Sequence, residues 1–149
     1  MRQLILIPLL FFSINLFGQI KIDDIGDNWK SRVDSALTLI KTYDSVKYGV
    51  INKYCKHITF WNGAFSTLEN QETIMIAQRD MIGGSINNIA AAIVHESFHM
   101  YRWNNNLERG MNIEECLGYT YELEFLMKIP NVEPFLIEHA KEMIEFYKK

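Results

Sequence analysis

The chain has little that would suit it to nucleic acid, to a bilayer or to a cross-linked scaffold. Lysine and arginine number 15 against 18 aspartates and glutamates, a formal net charge of −3. No dense basic patch appears, which argues against a nucleic-acid partner. Beyond residue 18 no apolar run reaches membrane length. There is no internal repeat, no low-complexity tract and no linker. Residues 19–149 are therefore expected to form one domain, long enough to bury a core without staples. Only two cysteines are present, Cys55 and Cys116. In an exported chain such a pair permits one disulfide, although two buried free thiols read the same way.

The one long apolar run opens the sequence, M-R-Q-L-I-L-I-P-L-L-F-F-S-I-N-L-F-G-Q. Basic Arg2, an apolar stretch from Leu4 to Leu16 and small Gly18 follow the order of a secretory signal peptide. The run is too short, and too interrupted by Pro8, Ser13 and Asn15, to span a bilayer comfortably. Cleavage is expected near Gly18–Gln19, with an uncleaved anchor as the alternative. No cysteine follows closely enough to take a lipid. Loss of residues 1–18 removes Arg2 and moves the formal charge from −3 to −4. The expectation is a secreted or periplasmic monomer without a stable membrane span.

From Trp29 to about Tyr48, Val33, Ala36, Leu37, Ile40 and Tyr43 keep helical spacing. K-H-I-T-F-W and A-F-S-T-L flank Asn62-Gly63, a hairpin signal. E-T-I-M-I-A, residues 72–77, reads as another strand. After Gly83-Gly84, Ser85 is placed to cap a helix. Residues 86–103 contain neither glycine nor proline and are apolar on nearly every side, so this helix belongs inside the domain. Asn112 is placed to cap the next helix, which Pro130 closes. Pro134 begins a last one carrying Phe135, Ile137, Ala140, Ile144 and Tyr147. Strands and helices segregate, which implies an α+β domain rather than an alternating parallel α/β sheet.

Within the most apolar helix stands H-E-S-F-H, residues 95–99. Each helical residue turns the side chain by about 100°, so His95 and His99 share a face one turn apart. Both imidazoles can then reach one ion at roughly 2.0–2.1 Å. Glu96 is rotated off that line and is free to hold a metal-bound water, taking its proton once zinc has lowered the water's pKa toward about 7. The same carboxyl can pass that proton to a leaving amine. Two histidines and a glutamate within two turns of a buried helix are costly without partners, and a metal is one. The plain alternative is a pair of satisfied core histidines with Glu96 at the rim.

A catalytic zinc needs a third protein ligand and an open position. No histidine follows in the H-x-x-G-x-x-H spacing. His57 lies on an expected strand and His139 in the last helix. Carboxylates are the better source, and the next helix opens with Glu114-Glu115; a capping role in the first turn suits either. H-E-S-F-H followed by E-E-C-L-G-Y-T-Y-E-L-E-F-L resembles the small zincin-type zinc metallopeptidases, the gluzincins, whose third ligand is a glutamate on the following helix. Their register of glutamate, small residue, an aromatic at +4 and a carboxylate–leucine pair at +7 and +8 falls on Glu115, Cys116, Tyr119 and Glu122-Leu123. The resemblance covers about residues 72–126. It implies a zincin-like fold, with a short sheet above an active-site helix, Zn2+ held by His95, His99 and Glu115, and Glu96 as general base. Larger relatives often carry an aspartate four residues after the ligand. Tyr119 stands there instead, so the residue that orients a ligand histidine is open between Tyr119 and Glu122.

Tyr101, Arg102, Tyr119 and Tyr121 are each able to stabilise an oxyanion, and sequence does not place them. A Cys55–Cys116 bridge would pin the ligand helix to the strand layer. The leading expectation is a secreted zinc metallopeptidase acting on peptide or protein substrates, with residues 72–77 lying beside a bound peptide. The alternative is a zinc-bound binding or structural module. A di-iron bundle would need a second E-x-x-H, which the chain lacks.

Overall fold

The segregated helices and strands form an α+β fold in a computed structural model of the chain, which describes residues 19–26, 28–82 and 84–149. The expected leader, residues 1–18, lies outside them. Among the described residues are six helices and one four-stranded mixed sheet. In chain order these are β1 (Lys21–Ile22), α1 (Trp29–Tyr43), α2 (Ser45–Tyr54), β2 (His57–Trp61), β3 (Thr67–Asn70), β4 (Thr73–Ala77), α3 (Gln78–Ile82), α4 (Ile86–Asn104), α5 (Met111–Leu126) and α6 (Pro134–Tyr147). No helix among the described residues is long and apolar enough to cross a membrane.

The single helix expected from Trp29 to about Tyr48 is two helices. Asp44 breaks them at φ −147° and ψ 78°, donating its N–H to the Ile40 carbonyl and accepting the Lys47 N–H on its side chain at 3.1 Å. One aspartate thus ends α1 and caps α2, a role its short acceptor suits.

The hairpin expected at Asn62-Gly63 is also elsewhere. β2 pairs in parallel with β4, His57 opposite Thr73 through Trp61 opposite Ala77, and in parallel with β1 on its other side. β3 runs antiparallel to β4, and the turn between them is closed by the Asn70 side chain accepting the Glu72 N–H at 2.8 Å. The Asn62-Gly63 turn instead lets the Trp61 indole fold over Gly63, where a Cβ would lie 2.1 Å from the ring, and donate to the Phe65 carbonyl at 2.9 Å. The strand order is β1-β2-β4-β3. β4 is therefore paired on both edges, and the expectation that residues 72–77 receive a peptide is corrected: the outer edge on that side belongs to β3.

α4 is the centre of the packing. Ser85 caps it by accepting the Asn88 N–H at 3.2 Å. Ile89, Ala90, Ile93, Val94 and Met100 are fully buried, each large aliphatic contributing about 1.5–3 kcal/mol of burial free energy. The helix touches β3 and β4, α1 and α2, and α5, while α6 packs on α5 beyond it. α5 starts earlier than expected, with Gly110 rather than Asn112 at the cap position. Its first turn is tied down by Glu114, whose carboxylate accepts the Arg109 N–H at 2.8 Å and two Arg102 guanidinium N–H groups at 2.7 and 2.9 Å.

The Cys55–Cys116 bridge does not form; both residues are free thiols. Cys55 is in the buried core, its thiol donating to the His57 carbonyl at 3.3 Å and pushed up to about 12 by burial. Cys116 stands half-buried on α5.

Candidate metal centre

The side chains of α4 and α5 meet where H-E-S-F-H faces the first two turns of α5. His95 Nε2 and His99 Nε2 are 3.0 Å apart. Glu115 places one carboxylate oxygen 3.4 Å from His95 Nε2 and the other 3.6 Å from His99 Nε2. Donors 2.0–2.1 Å from a tetrahedral ion stand roughly 3.3 Å from one another. The histidine nitrogens and the nearer carboxylate oxygen of each pair stand close to that value; with one ligand atom taken from each residue, the three lie within 4.8 Å of one another, and two imidazoles with one carboxylate are a donor set suited to zinc. His95, His99 and Glu115 are thus a buried cluster able to hold a metal ion.

The partner of His95 is Glu122. Its Oε2 lies 3.0 Å from His95 Nδ1. A carboxylate only accepts, so the proton sits on Nδ1, and Nε2 is turned toward His99 and Glu115. Tyr119 packs its ring edge-on against the His95 ring at 4.4 Å instead. Of the two residues open for the orienting role, Glu122 makes the hydrogen bond and Tyr119 the van der Waals wall. We expect Glu122→Ala to weaken zinc affinity by about 10–100-fold without loss of helical circular dichroism. Competition with a chromophoric chelator measures this, and unchanged affinity would remove Glu122 from the orienting role.

The electrostatics favour a cation. Burial opposes a charge on His95, but hydrogen bonds to Glu115 and Glu122 outweigh it and raise its pKa to about 10. His99, buried beside that charge, is pushed down to about 4. Burial also opposes charge on Glu115, yet the two histidines hold its carboxyl below the usual range. The field that keeps a proton on His95 is the field a divalent ion would enter. Glu96 is 8% exposed and, among the described residues, has no hydrogen-bond partner. Burial raises its pKa to about 7, against the pull of His95 and with help from Glu115 and Glu122.

These groups line a cleft of about 700 Å³, walled by Leu68 of β3, Arg79 of α3, Trp103 of α4, Met111 of α5, and His139 and Tyr147 of α6. Tyr147 stacks on Tyr119 at 6.1 Å, and His139 meets the same ring edge-on at 5.9 Å. In sequence Tyr147 belongs only to an apolar stripe and His139 is a histidine passed over in favour of carboxylates; the contact of both with Tyr119 is set by packing. Three other candidates are drawn elsewhere. Arg102 is engaged by Glu114 and the Leu107 carbonyl. Tyr121 lies under the Lys47 ammonium at 3.1 Å. Tyr101 packs against Tyr54. His57, on β2, faces Asp23 at 2.9 Å and has no part in the cleft lining. Glu114, the other carboxylate open as a ligand, is committed to Arg102. No protein-family signature, no curated protein and no solved structure matches this chain.

Proposed function

We propose that this chain is a zinc metallopeptidase of zincin-like fold, exported by the leader read in residues 1–18. The observation that carries the reading is the convergence of His95, His99 and Glu115 beside a partnerless, buried Glu96 that opens on a cleft. A zinc ion on the three donors would polarise a peptide carbonyl and bring a water's pKa toward about 7.

The chain's own residues then divide the work. Glu96, turned off the ligand face of α4, would take the water's proton as attack begins and return it to the departing amine. Glu122 holds the His95 ring in place through Nδ1. Tyr119 and Tyr147 line the cleft, and their hydroxyls are our candidates for donors to the developing oxyanion. We place a substrate segment in extended conformation along the edge of β3 that no other described strand pairs, where Thr67 and Leu68 border the cleft. Exposed Phe65 and Met111 offer it apolar contacts.

The test is metal content and hydrolysis measured together. The purified chain should carry about one zinc per molecule and cleave unfolded casein. A chelator should stop cleavage, and added zinc should restore it. Cleavage indifferent to the chelator, or a chain that takes up no zinc, would overturn the reading.

A further inference from the structure

α5 contains a glycine in its interior, Gly118, three residues after Glu115. Glycine there is unfavourable for a helix, because it loses the most backbone freedom on folding and has no side chain to cover the helix. Its backbone is ordinary right-handed helix rather than the left-handed region that demands glycine. The cause therefore lies in what surrounds it. A Cβ built on Gly118 would stand 3.0 Å from His99 Nε2, 3.0 Å from His95 Cε1 and 3.1 Å from His95 Nε2. These include the two nitrogens that, with Glu115, form the cluster. No other described glycine has the histidine pair as its neighbour.

We propose that Gly118 is a positioning residue for the metal: its missing side chain leaves the volume that an ion shared by His95, His99 and Glu115 must occupy. The inference rests on the zinc reading above and adds to it. A methyl group 3.0–3.1 Å from both Nε2 atoms is tighter than ordinary contact, so it would press on the two rings whose nitrogens an ion must hold at about 2.0–2.1 Å. Without an ion the rings are held by hydrogen bonds and ion pairs alone, and must give by a few tenths of an ångström to admit a methyl. Rings fixed on an ion, with His95 also fixed by Glu122, cannot turn and keep their bonds.

The two expected effects of Gly118→Ala have opposite signs. Alanine is the better helix former, so the zinc-free variant should melt no lower than the zinc-free wild type once the rings adjust. Zinc affinity, read by competition with a chromophoric chelator, should fall at least tenfold. Wild type is measured alongside. If wild type itself binds no zinc, the function proposed above fails. If wild type and Gly118→Ala bind zinc equally well, only the role of Gly118 fails. Should Gly118→Ala be too unstable to assay, the same change is made in the His95→Ala/His99→Ala chain. With the imidazoles removed, alanine at 118 should be tolerated. If it still unfolds that chain, the glycine is not making room beside the histidines, and the proposal is overturned.

Discussion

Glu96→Gln is expected to keep its zinc and lose about 10²–10⁴-fold in peptide hydrolysis. Glutamine has nearly the shape of glutamate but takes no proton at neutral pH, and general-base catalysis of this kind is worth about that factor. Zinc should stay because Glu96 stands about 100° around α4 from His95 and outside the donor cluster. Stability should not fall, since burial of a partnerless carboxyl costs free energy that the neutral amide reduces. Kinetics on a fluorogenic peptide, with zinc content measured on the same sample, check this. Hydrolysis that survives the change would leave zinc binding standing and remove the proposed catalysis.

The second large effect separates two neighbouring residues. Glu115→Ala is expected to lose stoichiometric zinc while the chain stays folded, because Glu115 is 28% exposed in its side chain and engages only the histidines. Glu114→Ala is expected to do the opposite. Its partner Arg102 is 13% exposed and would be left with a buried, unmatched charge, and breaking a buried pair from one side costs about 3 kcal/mol. For a domain of this size that lowers the melting temperature by roughly 10 °C, with zinc still bound at temperatures where the variant is folded. Thermal melts and zinc titrations on both variants decide. If Glu114→Ala abolishes zinc and Glu115→Ala only lowers the melt, the assignment is reversed.

The contrast also shows what sequence could reach. His95, Glu96 and His99 were legible because their geometry is local: helical periodicity alone puts two of them on one face and turns the third aside. Glu114 and Glu115 were not separable that way, since both suit a first helical turn. A resemblance chose Glu115, and the physical distinction is that Arg102, on a different helix, claims Glu114. The break at Asp44 was hidden because the apolar spacing of Val33, Leu37 and Ile40 runs on into α2 almost in phase. The strand pairing is not legible in the sequence for a related reason. Asn62-Gly63 is a local turn signal, whereas the parallel pairing of β2 with β4 depends on contacts across sixteen positions in register, His57 to Thr73. The α+β class is legible without the pairing because it depends only on the order of elements. Gly118 did leave a trace, a glycine inside a helical run, but its meaning lies in the histidines opposite.

Adjacent glutamates at the start of α5 face different masters, and this separates assembly from loading. The Arg102–Glu114 clamp fastens α5 to α4 by protein groups alone. The fold therefore does not wait on an ion to bring its two halves together, as a zinc finger must. Such a chain can finish folding before any ion reaches the cluster of His95, His99 and Glu115.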